Sequence, residues 1–158
     1  MDNNFLADDA GEITIIFCEI CNFDNIILQT KDNIIKELDG LFRMFDYLCT
    51  LHNIQKIETV GKVYMACSGL SYAENSKDIG KKLAHPAVRM ISMANDMMKF
   101  VESFTYNEHE TLDIKIGIHT GTCIFGVIGY HKPQFSLIGD TVNTTARHCT
   151  TGDPGNII

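Results

Sequence analysis

The chain has 158 residues, is 45% hydrophobic and 21% charged, and carries a formal net charge of -7. This suits one globular domain with a real core and argues against a nucleic-acid binder, which needs a basic surface. No apolar run reaches the ~18 residues of a membrane span, and Met1-Asp2-Asn3-Asn4 lacks the basic and apolar regions of a secretory signal.

Glu12–Cys18 is β-branched and apolar and predicts a buried strand. Asp32–His52 predicts a helix whose apolar set, Leu38, Leu41, Phe42, Phe45, Leu48 and Cys49, follows the i, i+3, i+4, i+7 pattern. Gln55–Val60 and Val63–Gly69 predict two strands joined by a tight turn at Gly61-Lys62. Ser71–Leu83 is polar and reads as an exposed loop. His85-Pro86 opens a second long helix, with proline in the first turn, where its missing N–H costs nothing. Its predicted buried stripe is Ala87, Met90, Ile91, Ala94, Met97, Met98, Val101 and Phe104, so the methionines read as core. Leu112–His119 and Cys123–Gly129 predict two strands joined at Thr120–Thr122. Tyr130–Gln134 reads as a loop, Phe135–Ile138 as a short strand, and Thr141–Cys149 as a helix.

Helices on one face of a mostly antiparallel sheet give an α+β layer, and a ferredoxin-like βαββαβ core fits this order best. The six cysteines, Cys18, Cys21, Cys49, Cys67, Cys123 and Cys149, lie mostly in apolar segments and read as reduced thiols in or near the core. Cys18 and Cys21 form a C-x-x-C, but no second pair or nearby His supports a zinc site.

The densest chemistry lies in Phe135–Arg147. Asn143 and Arg147 are four residues apart, so a helix puts an amide and a guanidinium on one face. That pair suits a sugar beside a phosphate. The face opens at a helix start, where backbone N–H groups also favour anions. Asp140 reads as an acidic N-terminal cap, and His119 as a packed or hydrogen-bonded strand residue.

Four blocks, Ile15–Phe23, Lys56–Leu70, Ile114–Gly129 and Phe135–Arg147, resemble the class III nucleotidyl cyclase catalytic domain, which makes cyclic AMP or cyclic GMP. The resemblance covers nearly all of the chain from Ile13. It implies a catalytic domain over residues 12–158 after an extension over 1–11. Further family strands, one with a phosphate-binding lysine, are expected beyond this sequence. It also implies two domains paired head to tail, with the active site between them. One half holds two metal ions, Mg²⁺ or Mn²⁺, on two aspartates. The other supplies base, ribose and phosphate contacts, and this chain resembles that second kind. Asn143 matches the ribose-orienting Asn, and Arg147 the phosphate-stabilising Arg. The first metal aspartate falls on Glu19 and the second on Lys62, whose ammonium cannot ligate Mg²⁺. Glu19 therefore reads as a solvated strand-end carboxylate, and the metals as the burden of a complementary partner domain.

The two purine-selecting positions of the family carry Glu58 and Ser136. A carboxylate accepts from guanine N1–H and its 2-amino group, and a hydroxyl can donate to O6. Adenine would face Glu58 acceptor to acceptor. The resemblance thus implies half of a guanylate cyclase that binds GTP and works in a heterodimer or pseudo-heterodimer. The alternatives are a non-catalytic regulatory or dimerisation domain and an adenylate cyclase half. The expected setting is a cytoplasmic domain, compatible with an integral-membrane parent.

Overall fold

A computed structural model of the chain describes residues 6–29, 33–70, 83–128 and 134–158. The elements are β1 (Leu6–Ile20), α1 (Phe23–Gln29), α2 (Ile34–Leu51), β2 (Gln55–Val60), β3 (Val63–Ser68), α3 (Pro86–Ser103), β4 (Thr105–Tyr106), β5 (Glu110–Thr111), β6 (Ile114–Ile128), β7 (Gln134–Ile138) and α4 (Asp140–Thr151). Five strands form one antiparallel sheet in the order β2-β3-β1-β6-β7. The first four are the ferredoxin-like order expected from the sequence, and β7 extends the sheet at one edge. The loop expected at Ser71–Leu83 lies, apart from Leu83, outside the described residues. So does the loop at Tyr130–Gln134, apart from Gln134, which opens β7.

Alternation along β1 divides the core. Ile16, Cys18 and Ile20 pack with Leu41, Phe45, Met93 and Met97 of α2 and α3. Ile13 and Ile15 point the other way, into a second cluster with Met65, Cys67, Cys123 and Leu137. The helices form as their periodicity requires. On α2 the buried residues are Ile34, Leu38, Leu41, Phe45, Leu48 and Cys49. On α3, Met90, Met93 and Met97 are fully buried. The expected stripe is corrected at three positions: Ile91 is 51% exposed, and Arg89 and Met93 lie inside. Arg89 is tolerated because its guanidinium donates to the carbonyls of Ala84 and Asn53.

Two strand boundaries differ from expectation. β1 begins at Leu6, because its acidic start still pairs with β6 across a bulge between Asp9 and Gly11. The two strands expected around Thr120–Thr122 are one continuous strand, β6, paired with β1 along nearly its whole length. The threonines there are good strand residues, and Gly121 serves close packing. A Cβ at Gly121 would lie 2.5 Å from Thr141 Oγ1, and one at Gly117 would lie 2.4 Å from the backbone nitrogen of Cys149. These glycines let α4 lie directly on β6. Because Gly117 alternates with Ile116 and Ile118, which face α2 and α3, α4 covers the opposite face. Thr141 fastens it there, its Oγ1 donating to Thr122 O at 2.6 Å, while the buried Thr145 Oγ1 is satisfied within the helix by Thr141 O at 2.7 Å.

Candidate active site

On the face shared with α4, Glu58 and Ser136 line one pocket of about 270 Å³. Its walls are apolar: Phe17, Val60, Val63, Met65, Leu137 and Val142. The two residues arrive from opposite edges of the sheet, Glu58 on β2 and Ser136 on β7. An apolar cleft lined by a carboxylate and a hydroxyl has the chemistry to hold a heteroaromatic base. The signal for the walls was present in the sequence as alternation along β1 and β3. Which face stays uncovered was not.

Val142, at the pocket wall, is followed directly by Asn143 on α4. Gly139 precedes the helix with φ of +142°, a conformation that favours glycine. Asp140 is corrected as a cap: the N-cap is Gly139, with no side-chain cap bond. Asp140 is instead an exposed first-turn acid that favours the helix dipole, 3.9 Å from Arg147 Nη2. Asn143 and Arg147 both lie on the exposed side of α4, opposite the buried Thr141, Thr145 and Cys149. Arg147 Nη2 also donates to Thr144 Oγ1 at 3.2 Å. An apolar cleft and an Asn/Arg face thus adjoin.

Glu19 and Lys62, which the resemblance sets at metal positions, also come together. Glu19 is the penultimate residue of β1, and Lys62 stands in the β2–β3 turn. Lys62 Nζ lies 2.8 Å from Glu19 Oε1, and Lys115 Nζ lies 3.4 Å from Oε2. The reading of Glu19 as a solvated carboxylate is corrected: its side chain is only 14% exposed, flanked by both lysines. Lys115 went unnoticed in the sequence, although its alternation with Ile114 and Ile116 puts it on the Glu19 face, directly across from it. Burial pushes the Glu19 carboxyl up, but hydrogen bonding to Lys62 and the charge of Lys115 bring it below its usual range. The hydrogen bond to Glu19 raises Lys62. Mg²⁺ wants several oxygen ligands at about 2.0–2.1 Å. Here one carboxylate is already engaged by two ammonium groups, so these residues do not fit a divalent ion. Among the described residues no cluster of three or more His, Cys, Asp or Glu side chains could hold one.

His119 packs edge-on against His148, ring centroids 5.5 Å apart. All six cysteines are free thiols; Cys21 is half-buried and the other five are buried. Burial pushes Cys49 and Cys149 up to about 11, away from thiolate chemistry.

Comparison with known proteins places this geometry. The family model described as the adenylate and guanylate cyclase catalytic domain matches residues 6–158. The chain belongs to that family. The domain is 34% identical over 171 residues to guanylate cyclase beta of Plasmodium falciparum, covering 98% of this chain and 5% of that protein. It is 34% identical over 146 residues to guanylyl cyclase C of Sus scrofa, covering 90% of this chain and 13% of that protein. It therefore spans a small part of either relative. Among solved structures it resembles the guanylate cyclase domain of RhGC from Catenaria anguillulae, determined in complex with GTP. There the TM-score is 0.82 and the identity 27%, over 95% of this chain and 78% of that one. The adenylyl cyclase CyaB from P. aeruginosa shares the fold, with a TM-score of 0.81 at 19% identity over 96% of this chain and 77% of that one. Class III cyclase domains use divalent metal ions. In this cyclase domain Glu19 and Lys62 form an ion pair. No helix among the described residues is long and apolar enough to cross a membrane.

Proposed function

We propose that this domain is one half of a guanylate cyclase, converting GTP to cyclic GMP and pyrophosphate at an interface with a complementary cyclase domain. The observation that carries the reading is that Glu58 and Ser136 line the same apolar pocket, with Val142 of its wall leading into Asn143. Glu58 accepts from guanine N1–H and the 2-amino group, and Ser136 donates to O6. Asn143 holds the ribose so that its 3′-hydroxyl points at the α-phosphorus. The 3′-oxygen forms a bond to that phosphorus as the bond to the bridging oxygen breaks and pyrophosphate departs. The hydroxyl proton passes to solvent water as the bond forms. Arg147 meets the negative charge that grows on the α-phosphate. For this it must exchange Thr144 and Asp140 for the substrate.

Two divalent ions, Mg²⁺ or Mn²⁺, supply Lewis-acid chemistry when bound, and in this reading they sit on two aspartates of the partner. The Glu19–Lys62 ion pair supports that assignment, because the one carboxylate there is already engaged by an ammonium group. The working unit is then a head-to-tail heterodimer or pseudo-heterodimer with GTP between the halves. Its setting would be the cytoplasm, as a domain of a membrane-bound parent; the relatives it matches are far longer than the matched segment.

The test is to mix the chain with a cyclase domain carrying both aspartates and assay GTP against ATP with Mn²⁺. Cyclic GMP from the mixture, with neither component active alone, is the expected result. The ion pair equally suits a non-catalytic regulatory domain, and a mixture inert toward both nucleotides would select that reading. Preference for ATP would make this an adenylate cyclase half.

A further inference from the structure

Lys56 and Glu58 are two residues apart on β2, so an uninterrupted strand would send both side chains to one face. They point to opposite faces. Lys56 Nζ lies 3.1 Å from Asp46 Oδ1 of α2 and 5.6 Å from the ring centroid of Tyr64, on the helix-covered side. Glu58 lines the pocket on the other side. The cause is a register shift: Lys56 pairs with Ala66 and Glu58 with Met65, so Ile57 and Glu58 together oppose one residue of β3. Such bulges re-aim side chains and are held by their surroundings.

Something must hold this one. β2 is the edge strand and pairs only with β3 among the described residues. Much of it, from Glu58 to Val60, is exposed, and a one-residue slip would turn Glu58 out of the pocket. On the pocket side, Ile57 packs against the second core cluster. On the helix side, Asp46 accepts from Lys56 and, at 2.7 Å, from Tyr64 Oη, while Tyr64 is fully buried against Phe45. Through Asp46, Lys56 is thus tied to a fully buried tyrosine of the core, immediately before the bulge.

We infer that Lys56 and Asp46 are positioning residues for purine selection: their ion pair pins the bulged register of β2 and so keeps Glu58 turned into the pocket. This rests on the reading of Glu58 as the guanine contact. Neither residue touches the nucleotide; each acts through the strand.

The test compares GTP with inosine triphosphate, which lacks the 2-amino group, by calorimetry on the domain assembled with its complementary half. Losing a hydrogen bond to a charged acceptor should weaken binding by roughly ten- to a hundredfold. With Lys56→Met, which keeps the apolar stem over Tyr64, that preference should fall to about threefold or less, whereas Lys56→Arg should retain it and Asp46→Asn should lose it. In a Glu58→Ala background, Lys56→Met should change nothing further, because both act through one contact. If Glu58→Ala abolishes the preference and Lys56→Met does not, the inference is overturned and the guanine reading stands. If Glu58→Ala leaves the preference intact, or the assembly binds neither nucleotide, both are overturned. A lowered melting temperature with an unchanged preference marks a purely structural ion pair and also sinks the inference.

Discussion

Lys62 Nζ sits 2.8 Å from Glu19 Oε1, so the two side chains that the cyclase resemblance sets at metal positions neutralise each other. A tethered ammonium holds the place of a cation, and Lys115 engages the remaining carboxylate oxygen. Replacing both residues, Glu19→Asp with Lys62→Asp, should create a divalent site where the parent has none. The check is Mn²⁺ binding by electron paramagnetic resonance. The parent should leave added Mn²⁺ free at concentrations where the double variant captures it. If the parent captures Mn²⁺ equally well, the ion pair is not what excludes it.

The same pair gives stability a defined pH window. The folded-state Glu19 carboxyl lies below its ordinary value, so its contribution is complete above the ordinary carboxylate range, about 4.3, and is lost as pH falls through the folded value. Lys62 is raised, so its share is complete below the ordinary lysine range, about 10.4, and is lost as pH rises through the folded value. The melting temperature of Lys62→Met should therefore fall below the parent's at pH 7, and the gap should close as pH falls through the lowered Glu19 value. A gap that stays constant from neutral to acid would mean that lost packing, not charge, causes it.

The repetitive parts of the fold were legible in the sequence. The stripes of α2 and α3 follow helical spacing, and the β2–β3 hairpin is marked by Gly61-Lys62. What was hidden depends on contacts distant in sequence. Gly121 between threonines looks like a turn until α4 is laid on it. Glu19 looks solvated until Lys62 and Lys115 fold over it. Helix α1, seven residues long, is too short to show a period. The bulge at Ile57 is invisible to alternation because it is where alternation breaks. The site divided similarly. Asn143 and Arg147 share a helix, so their common face follows from spacing alone, whereas Glu58 and Ser136 meet only because three strands intervene in a defined order.

The glycines of β6 should differ in what they tolerate. In Gly117→Ala the new methyl would meet the backbone of Cys149 and Thr145, at 2.4 and 2.7 Å, which cannot rotate away. In Gly121→Ala the obstacle is the Thr141 side chain, which can turn at the loss of its bond to Thr122. Overpacking costs about 1–3 kcal/mol, and Gly117→Ala should lie at or above the top of that range with Gly121→Ala below it. Urea unfolding of both variants checks the order. Equal destabilisation would mean that α4 moves as a rigid body off both contacts.

The last expectation concerns Arg147, whose guanidinium rests on Thr144 and near Asp140 in the free domain. An arginine that binds ground-state phosphate and transition state equally would, when removed, raise KM and leave kcat alone. One that answers charge developing at the α-phosphorus would lower kcat with little change in KM. Because its resting partners lie on its own exposed helix face, Arg147 gives up little to swing to the substrate. Its preference for the more highly charged transition state then sets the balance. Arg147→Ala in the assembled pair should lower kcat by roughly a hundred- to a thousandfold, the scale seen when one transition-state donor is lost. Arg147→Lys should recover only part, since a point charge cannot supply the planar fork. Steady-state kinetics with GTP separates the two parameters. A large rise in KM at unchanged kcat would assign Arg147 to anchoring the substrate rather than to the reacting phosphorus.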